Sequence, residues 1–312
     1  MNPDLSPADD GELAALDEAG LCAGADENAA EFLARCGRMR AAWRKLDAEL
    51  AECGRAERFG VVLTPECRVD AGTLDEAGEI TEALYRFRHR EVPGFCIDRG
   101  IGWLWGGCLV AESEDDLEVL LLRGNFRDRS RWLFYRRREL AAHELCHAAR
   151  MMLGETSLEE HFAYQSDSSR LRRLLGNCFI RDLDAFLFMI PSLLLAFAAA
   201  ASAISGREFP LLPFWLLAFA APAWLLVRNA RSRGVVRRAG AALRRAGIAA
   251  PEPILFRCTL AELREIAALP DRAALDAYAG SRADAGSARW RIIRRRFLSG
   301  EEDPAAREKR DA

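Results

Sequence analysis

The chain reads as a mostly helical α+β protein, and three stretches carry that reading. His143-Glu144-Leu145-Cys146-His147 forms an H-E-x-x-H inside a run of good helix formers. Ahead of it, Val92 to Asn125 breaks into short apolar runs punctuated by glycines, the composition of a small sheet. Behind it, 185–204 and 209–227 carry no charge. Each is long enough, at about 1.5 Å per residue, to cross a hydrocarbon core of about 30 Å. Only Ser205 to Glu208 separates them, so they read as a transmembrane helical hairpin. The chain then divides into an acidic disordered tail (1–24), a domain holding the motif (25–182), the hairpin (183–228), a helical region (229–300) and a charged disordered tail (301–312).

Composition narrows the classes. A net charge of −3 over 312 residues, with no nucleic-acid-binding motif, argues against nucleic acid as a partner. Nine cysteines form no C-x-x-C, and their number is odd. They read as reduced thiols in a cytosolic compartment rather than as a disulfide framework. The N-terminal stretch lacks the basic and apolar regions of a cleavable signal peptide.

Taken in order, Gly11 to Ala19 predicts a short helix within the tail. Ala25 to Gly54 predicts a helix capped by Asp26, with Phe32, Leu33, Cys36, Met39, Trp43, Leu46 and Leu50 as its packing stripe. Phe59 to Thr64 predicts a strand, stopped by Pro65. Leu74 to Arg88 predicts a helix with Thr73 and Glu76 as a capping box. His89, among arginines, reads as a surface residue. Strands are expected at Gly102–Gly106, Cys108–Ala111 and Leu117–Leu122, with at least one of Trp103 and Trp105 in the core and the other there or along a cleft. The basic run Arg127 to Arg138 is expected to pair with the acidic run Glu112 to Asp116 or to face lipid headgroups. The motif helix runs from Arg138 and stops at Gly154. Beyond the hairpin, Arg237 to Ala246 predicts a basic helix against anionic lipid, Thr259 and Glu262 a capping box, and Asp271 a further cap. Arg289 to Leu298 suits the membrane surface or packing on the motif domain equally well.

The motif's spacing has a chemical reason. Residues four apart share one helix face, so His143 and His147 can offer two imidazole nitrogens to one Zn²⁺. Glu144 stands beside them, placed to take a proton from water without ligating the metal. A third protein ligand is needed, and Glu159, Glu160 and His161 are the near candidates. Both glutamates also fit capping boxes, Thr156 with Glu159 and Ser157 with Glu160, so one of them is expected to cap the next helix. Tyr164, Tyr135 and His161 are candidate donors to a developing oxyanion.

His143-Glu144-x-x-His147 followed by Glu160-x-x-Ala163 resembles the gluzincin class of zinc metallopeptidases, in particular the membrane-bound heat-shock and CAAX-processing types and the minigluzincins. The resemblance spans about Trp132 to Asp167 and departs from the membrane types at Tyr164, where they carry an aspartate. It implies a zincin-like domain, a small sheet plus the H-E-x-x-H helix and a glutamate helix. It implies His143, His147 and Glu160 as zinc ligands and Glu144 as the catalytic base. An edge strand of the sheet would pair with an extended peptide substrate.

Arg170, Arg172, Arg173 and Arg181 precede the first apolar stretch; Arg228, Arg231, Arg233, Arg237 and Arg238 follow the second; the connector holds Arg207 alone. By the positive-inside rule both flanks, both termini and the zinc site are expected on the cytoplasmic side of the cell's inner or plasma membrane. The expected function is a membrane-anchored zinc endopeptidase acting on a peptide or protein substrate, with the bilayer as its other partner. Glu144 would be its catalytic base and Tyr164 a catalytic donor. The alternative is a non-catalytic, membrane-anchored interaction or scaffold protein whose fold the zinc stabilises.

Overall fold

The computed structural model describes residues 9–98, 105–112, 116–180, 182–206 and 210–299. Helices α1 (Asp10–Glu18) and α2 (Ala29–Cys53) come first, then a hairpin of β1 (Ala56–Arg58) and β2 (Val61–Leu63), and then α3 (Ala71–Tyr85). A three-stranded sheet follows, from β3 (Gly94–Ile97), β4 (Gly107–Glu112) and β5 (Leu117–Arg123). A short pair, β6 (Arg131–Trp132) and β7 (Tyr135–Arg136), leads into the motif helix α4 (Arg137–Arg150). The short helices α5 (Glu159–Ala163) and α6 (Arg170–Leu175) follow, and then the long α7 (Asp182–Ser205) and α8 (Leu212–Arg245). The last helices are α9 (Glu252–Phe256), α10 (Leu260–Ala268), α11 (Arg272–Asp284) and α12 (Ala288–Ile293), the last continuing into a π-turn over Arg294–Leu298.

The sheet order is β3-β5-β4. β3 runs parallel to β5 with Gly94 opposite Leu120, and β4 runs antiparallel with Leu109 opposite Leu120. Leu117 to Leu122 are all buried, as a central strand covered on both faces requires. Helices α2 and α4 both pack on it, and the Trp43 indole donates to the Glu118 carbonyl at 3.2 Å. β4 is an edge strand, paired only with β5 among the described residues.

Several elements differ from expectation, each for a local reason. Residues 9–24 are part of the fold rather than a disordered tail, because Leu13, Leu16, Leu21 and Cys22 are buried. Asp17, also buried, takes the Arg257 guanidinium at 2.9 Å. Helix α2 is capped by Asn28 and not Asp26: the Asn28 carboxamide accepts from the Ala30 and Glu31 amides, and Glu31 returns the bond. Phe59 and Gly60 both have positive φ, which folds the expected single strand into the β1–β2 hairpin. Helix α3 begins at Ala71 because Asp70 accepts from the Thr73 amide at 2.8 Å, so Thr73 is inside the helix and not its cap. It ends at Arg86, whose φ of 61° turns the chain inward. His89 is therefore buried rather than on the surface, against Trp43 at 5.7 Å. The expected strand at 102–106 falls largely outside the described residues, as does Trp103; Trp105 and Gly106 are in no strand. Of the acidic run, 113–115 lie outside the described residues; Asp116 takes Arg38 rather than the basic run, while Arg136 takes Glu139 at 3.2 Å and Arg137 faces Asp70.

Helices α7 and α8 are long and apolar enough to cross a membrane, and only 6% of the first apolar stretch and 11% of the second is buried. Pro191 and Pro222 sit inside them without breaking either. The base of the pair is tied to the rest of the chain. Arg228 spans both Asp184 oxygens at 2.8 and 2.6 Å and reaches the Cys178 carbonyl at 2.7 Å. Asn229 and Arg233 donate to the Leu174 and Arg173 carbonyls at 2.8 and 2.7 Å.

The stretch Arg237 to Ala246 is not a separate helix. It continues α8, and Val235, Val236, Ala239 and Leu243 are buried where α8 packs on α10. The expected Thr259–Glu262 capping box and the Asp271 cap are both present. Trp290, Ile292 and Ile293 are buried, so the C-terminal basic run packs on protein. One hydrophobic cluster runs from Leu13 to Leu298, which makes 229–299 part of the same core as the motif domain. The charged run 301–312 lies outside the described residues.

Candidate metal centre

Helix α4 buries Ala141, Ala142, Leu145, Cys146 and Ala149 against the core and turns His143, Glu144 and His147 toward a cleft of 860 Å³. Successive small alanines let the helix sit close to the sheet, and β4 crosses its open face. Gly154, at a φ of 62°, ends the following 3₁₀ turn. The chain then reverses and α5 lays Glu159 and Glu160 across the two histidines.

Four donor atoms converge. His143 Nε2 and His147 Nε2 lie 3.1 Å apart; Glu160 Oε2 stands 3.5 Å from the first and Glu160 Oε1 3.5 Å from the second. The ligand atoms of His143, His147 and Glu160 all fall within 4.8 Å of one another. Two imidazoles and one carboxylate, with the remaining side open to the cleft, suit a divalent cation such as Zn²⁺ and leave a coordination position free. The donors are also oriented from behind. The His143 ring is hydrogen-bonded to the Ala163 backbone. His147 Nδ1 faces Glu159 at 3.5 Å, and Glu159 accepts from Arg150 Nε at 3.0 Å.

This settles a competition that spacing left open. Glu160 is the glutamate in the cluster, and Glu159 stands behind His147. Neither caps α5, whose N-cap Leu158 makes no side-chain bond, so the expected capping box is absent. His161 is outside the cluster: its ring packs on Phe162 at 5.1 Å, and Nδ1 is buried with no hydrogen-bond partner among the described residues.

Glu144 is 6% exposed and accepts the Leu109 amide of β4 at 2.9 Å. Burial pushes its carboxyl up to about 7, with the charge of Glu160 adding and the Leu109 amide and His147 opposing. A carboxylate so held exchanges protons near neutral pH. Burial and then the charge of His147 drive His143 well below its ordinary range. For His147 burial acts downward, but Glu159 and Glu160 outweigh it and lift the ring to about 10.

Tyr164 and Tyr135 both line the cleft. Tyr164 meets the His143 ring at 4.6 Å, and burial, with Glu160, pushes its hydroxyl up to about 12, so it stays a donor. Gly176 makes room for it, since a Cβ there would fall 2.0 Å from the Tyr164 ring.

Two contributors were not singled out by the motif. Arg172 lies over the Tyr135 and Tyr164 rings at 4.8 and 5.6 Å and pairs with Asp167. Arg150, 1% exposed, stacks on Phe162 and Phe256 and donates to the Phe256 carbonyl, tying the motif helix to the C-terminal region. The only signal for either arginine was a charge within reach of the motif, which surface arginines share. No family model, curated protein or solved structure matches this chain.

Proposed function

We propose that the chain is a membrane-anchored, zinc-dependent endopeptidase with a zincin-like catalytic domain of gluzincin type. One observation carries the reading: His143, His147 and Glu160 converge within 4.8 Å beside a buried glutamate that none of the three needs as a ligand. A purely structural site has no use for that fourth group. A divalent cation held by these three residues would polarise a carbonyl and make bound water acidic.

The chain's own residues supply the rest. Glu144 accepts a proton from water on the cleft side and returns it to the leaving amine. Tyr164 and Tyr135 donate hydrogen bonds toward the carbonyl oxygen. Leu109 places an edge-strand amide at Glu144, so β4 is the edge along which an extended peptide would pair, main chain to main chain. Helices α7 and α8 would form the anchor. Arginines on both flanks and a single one in the connector favour a cytoplasmic cleft.

Elemental analysis of detergent-purified protein, paired with hydrolysis of an unstructured peptide, tests this. About one zinc per wild-type chain is expected from the one such cluster among the described residues, with zinc lost in His143→Ala and Glu160→Ala. Glu144→Gln should keep its zinc and lose about 10²-fold or more in hydrolysis. Folded wild type without zinc would sink the metallopeptidase reading. Equal activity in wild type and Glu144→Gln on every substrate would favour the non-catalytic scaffold.

A further inference from the structure

The described surface outside the hairpin carries an unusual group of bare apolar side chains, and they gather at the mouth of the cleft. Leu133 and Phe134, at the tip of the β6–β7 hairpin, are 59% and 61% exposed, and Trp105 is 60% exposed. Leu171, Leu175 and Phe179, on α6 and the segment leading to α7, are also exposed. These belong together: Arg172 of α6 lies over the Phe134 ring at 5.7 Å, while Trp105, Leu175 and Phe179 all line the cleft. Phe179 in turn meets Phe188 of α7 edge-on at 6.2 Å. The collar is therefore continuous with the first apolar helix. The bonds from Asn229 and Arg233 of α8 to the α6 backbone hold it there.

Charge fits the same occupant. Arg170 and Arg173 share α6 with Leu171, and Arg231 follows the second apolar stretch by one turn. A ring of aromatic and aliphatic tips with basic neighbours suits the headgroup level of an anionic bilayer. Leu133 carries a φ of 51°, which forces a tight turn and presents it and Phe134 outward together.

We propose that this collar is a second membrane contact: Leu133, Phe134 and Trp105 seat among lipid headgroups and upper acyl chains. The mouth of the cleft is then set at the bilayer surface, where it meets membrane-associated polypeptides. The inference rests on α7 and α8 spanning the membrane, and not on turnover.

The test uses the full chain in nanodiscs of equimolar phosphatidylcholine and phosphatidylglycerol. A photoreactive phenylalanine analogue replaces Phe134, or Leu217 within α8, or Glu52 on α2. Mass spectrometry after illumination should find phospholipid adducts at 134 and 217 and none at 52. An adduct at 217 with none at 134 would overturn the docking alone, as would crosslinks from 134 to a second copy. Absence at both would overturn the spans as well. Because no turnover is read, failure of the peptidase reading leaves this result intact.

Discussion

Glu118 sits 3% exposed on β5, and its Oε2 has no hydrogen-bond partner among the described residues. Burial pushes its carboxyl up to about 7, against the pull of Arg35. An acid raised in the folded state keeps its proton while the unfolded chain has lost it. Its contribution to stability is therefore full below pH 4.5 and is lost as pH rises through about 7, on the order of 3 kcal/mol. Glu118→Gln should flatten that fall in denaturant titrations run across this range. His89 acts at the other end. Burial lowers it to about 4, so its stabilising share is full above pH 6.5 and is lost as pH falls toward 4. At the metal site the residue-scale prediction concerns Glu159. Glu159→Gln leaves the three ligands in place but removes the charge behind His147. A drop of about 10- to 100-fold in zinc affinity is expected by competition with a chelator, with the fold unchanged. Zinc affinity equal to wild type would remove Glu159 from the site.

Helices α4, α7 and the apolar first half of α8 were legible in the sequence because each carries its own signal within its own length: a motif on a helical face, or a long run without charge. The capping of α2 and α3 was less so. Asp26, Asn28, Asp70 and Thr73 are all chemically competent caps, and the choice depends on where tertiary packing starts the helix. Helix α5 is the sharpest case. Thr156, Ser157, Glu159 and Glu160 fit two capping boxes, yet both glutamates turn to the histidines and Arg150 instead. The base of the α7–α8 pair makes the element-scale prediction. The Asp184 side chain is 3% exposed and that of Arg228 24%, so removing Asp184 leaves a half-buried guanidinium without its carboxylate. Asp184→Ala should cost about 3 kcal/mol, whereas Asp276→Ala, from an exposed i,i+4 pair on α11, should cost under about 0.5 kcal/mol. Matched unfolding curves in one detergent compare them. Equal costs would mean that the Arg228 contact does not hold the hairpin.

At the scale of the molecule, the division into a motif domain and a C-terminal region does not survive the contacts. Asp17 is bonded by Arg257 and Arg296, Glu262 takes Arg289 at 2.6 Å, and Arg150 reaches the Phe256 carbonyl. These links join positions up to 279 apart, and no periodicity or local composition records them. An arginine that closes a core is written the same way as one on the surface. The candidate metal site is thus supported from three parts of the chain: α4 and α5 supply its His and Glu donors, β4 its edge, and α9 the backstop for Arg150. A chain ended after Arg228 keeps every predicted ligand and both apolar helices, yet loses Phe256 and the partners of Asp17. It should therefore fail to hold zinc and should expose its amides to rapid hydrogen exchange along α1 and α4. If α1 and α4 stay protected and the shortened chain binds zinc like the full one, the region beyond α8 is an appendage, and the Arg150–Phe256 contact contributes nothing to the site.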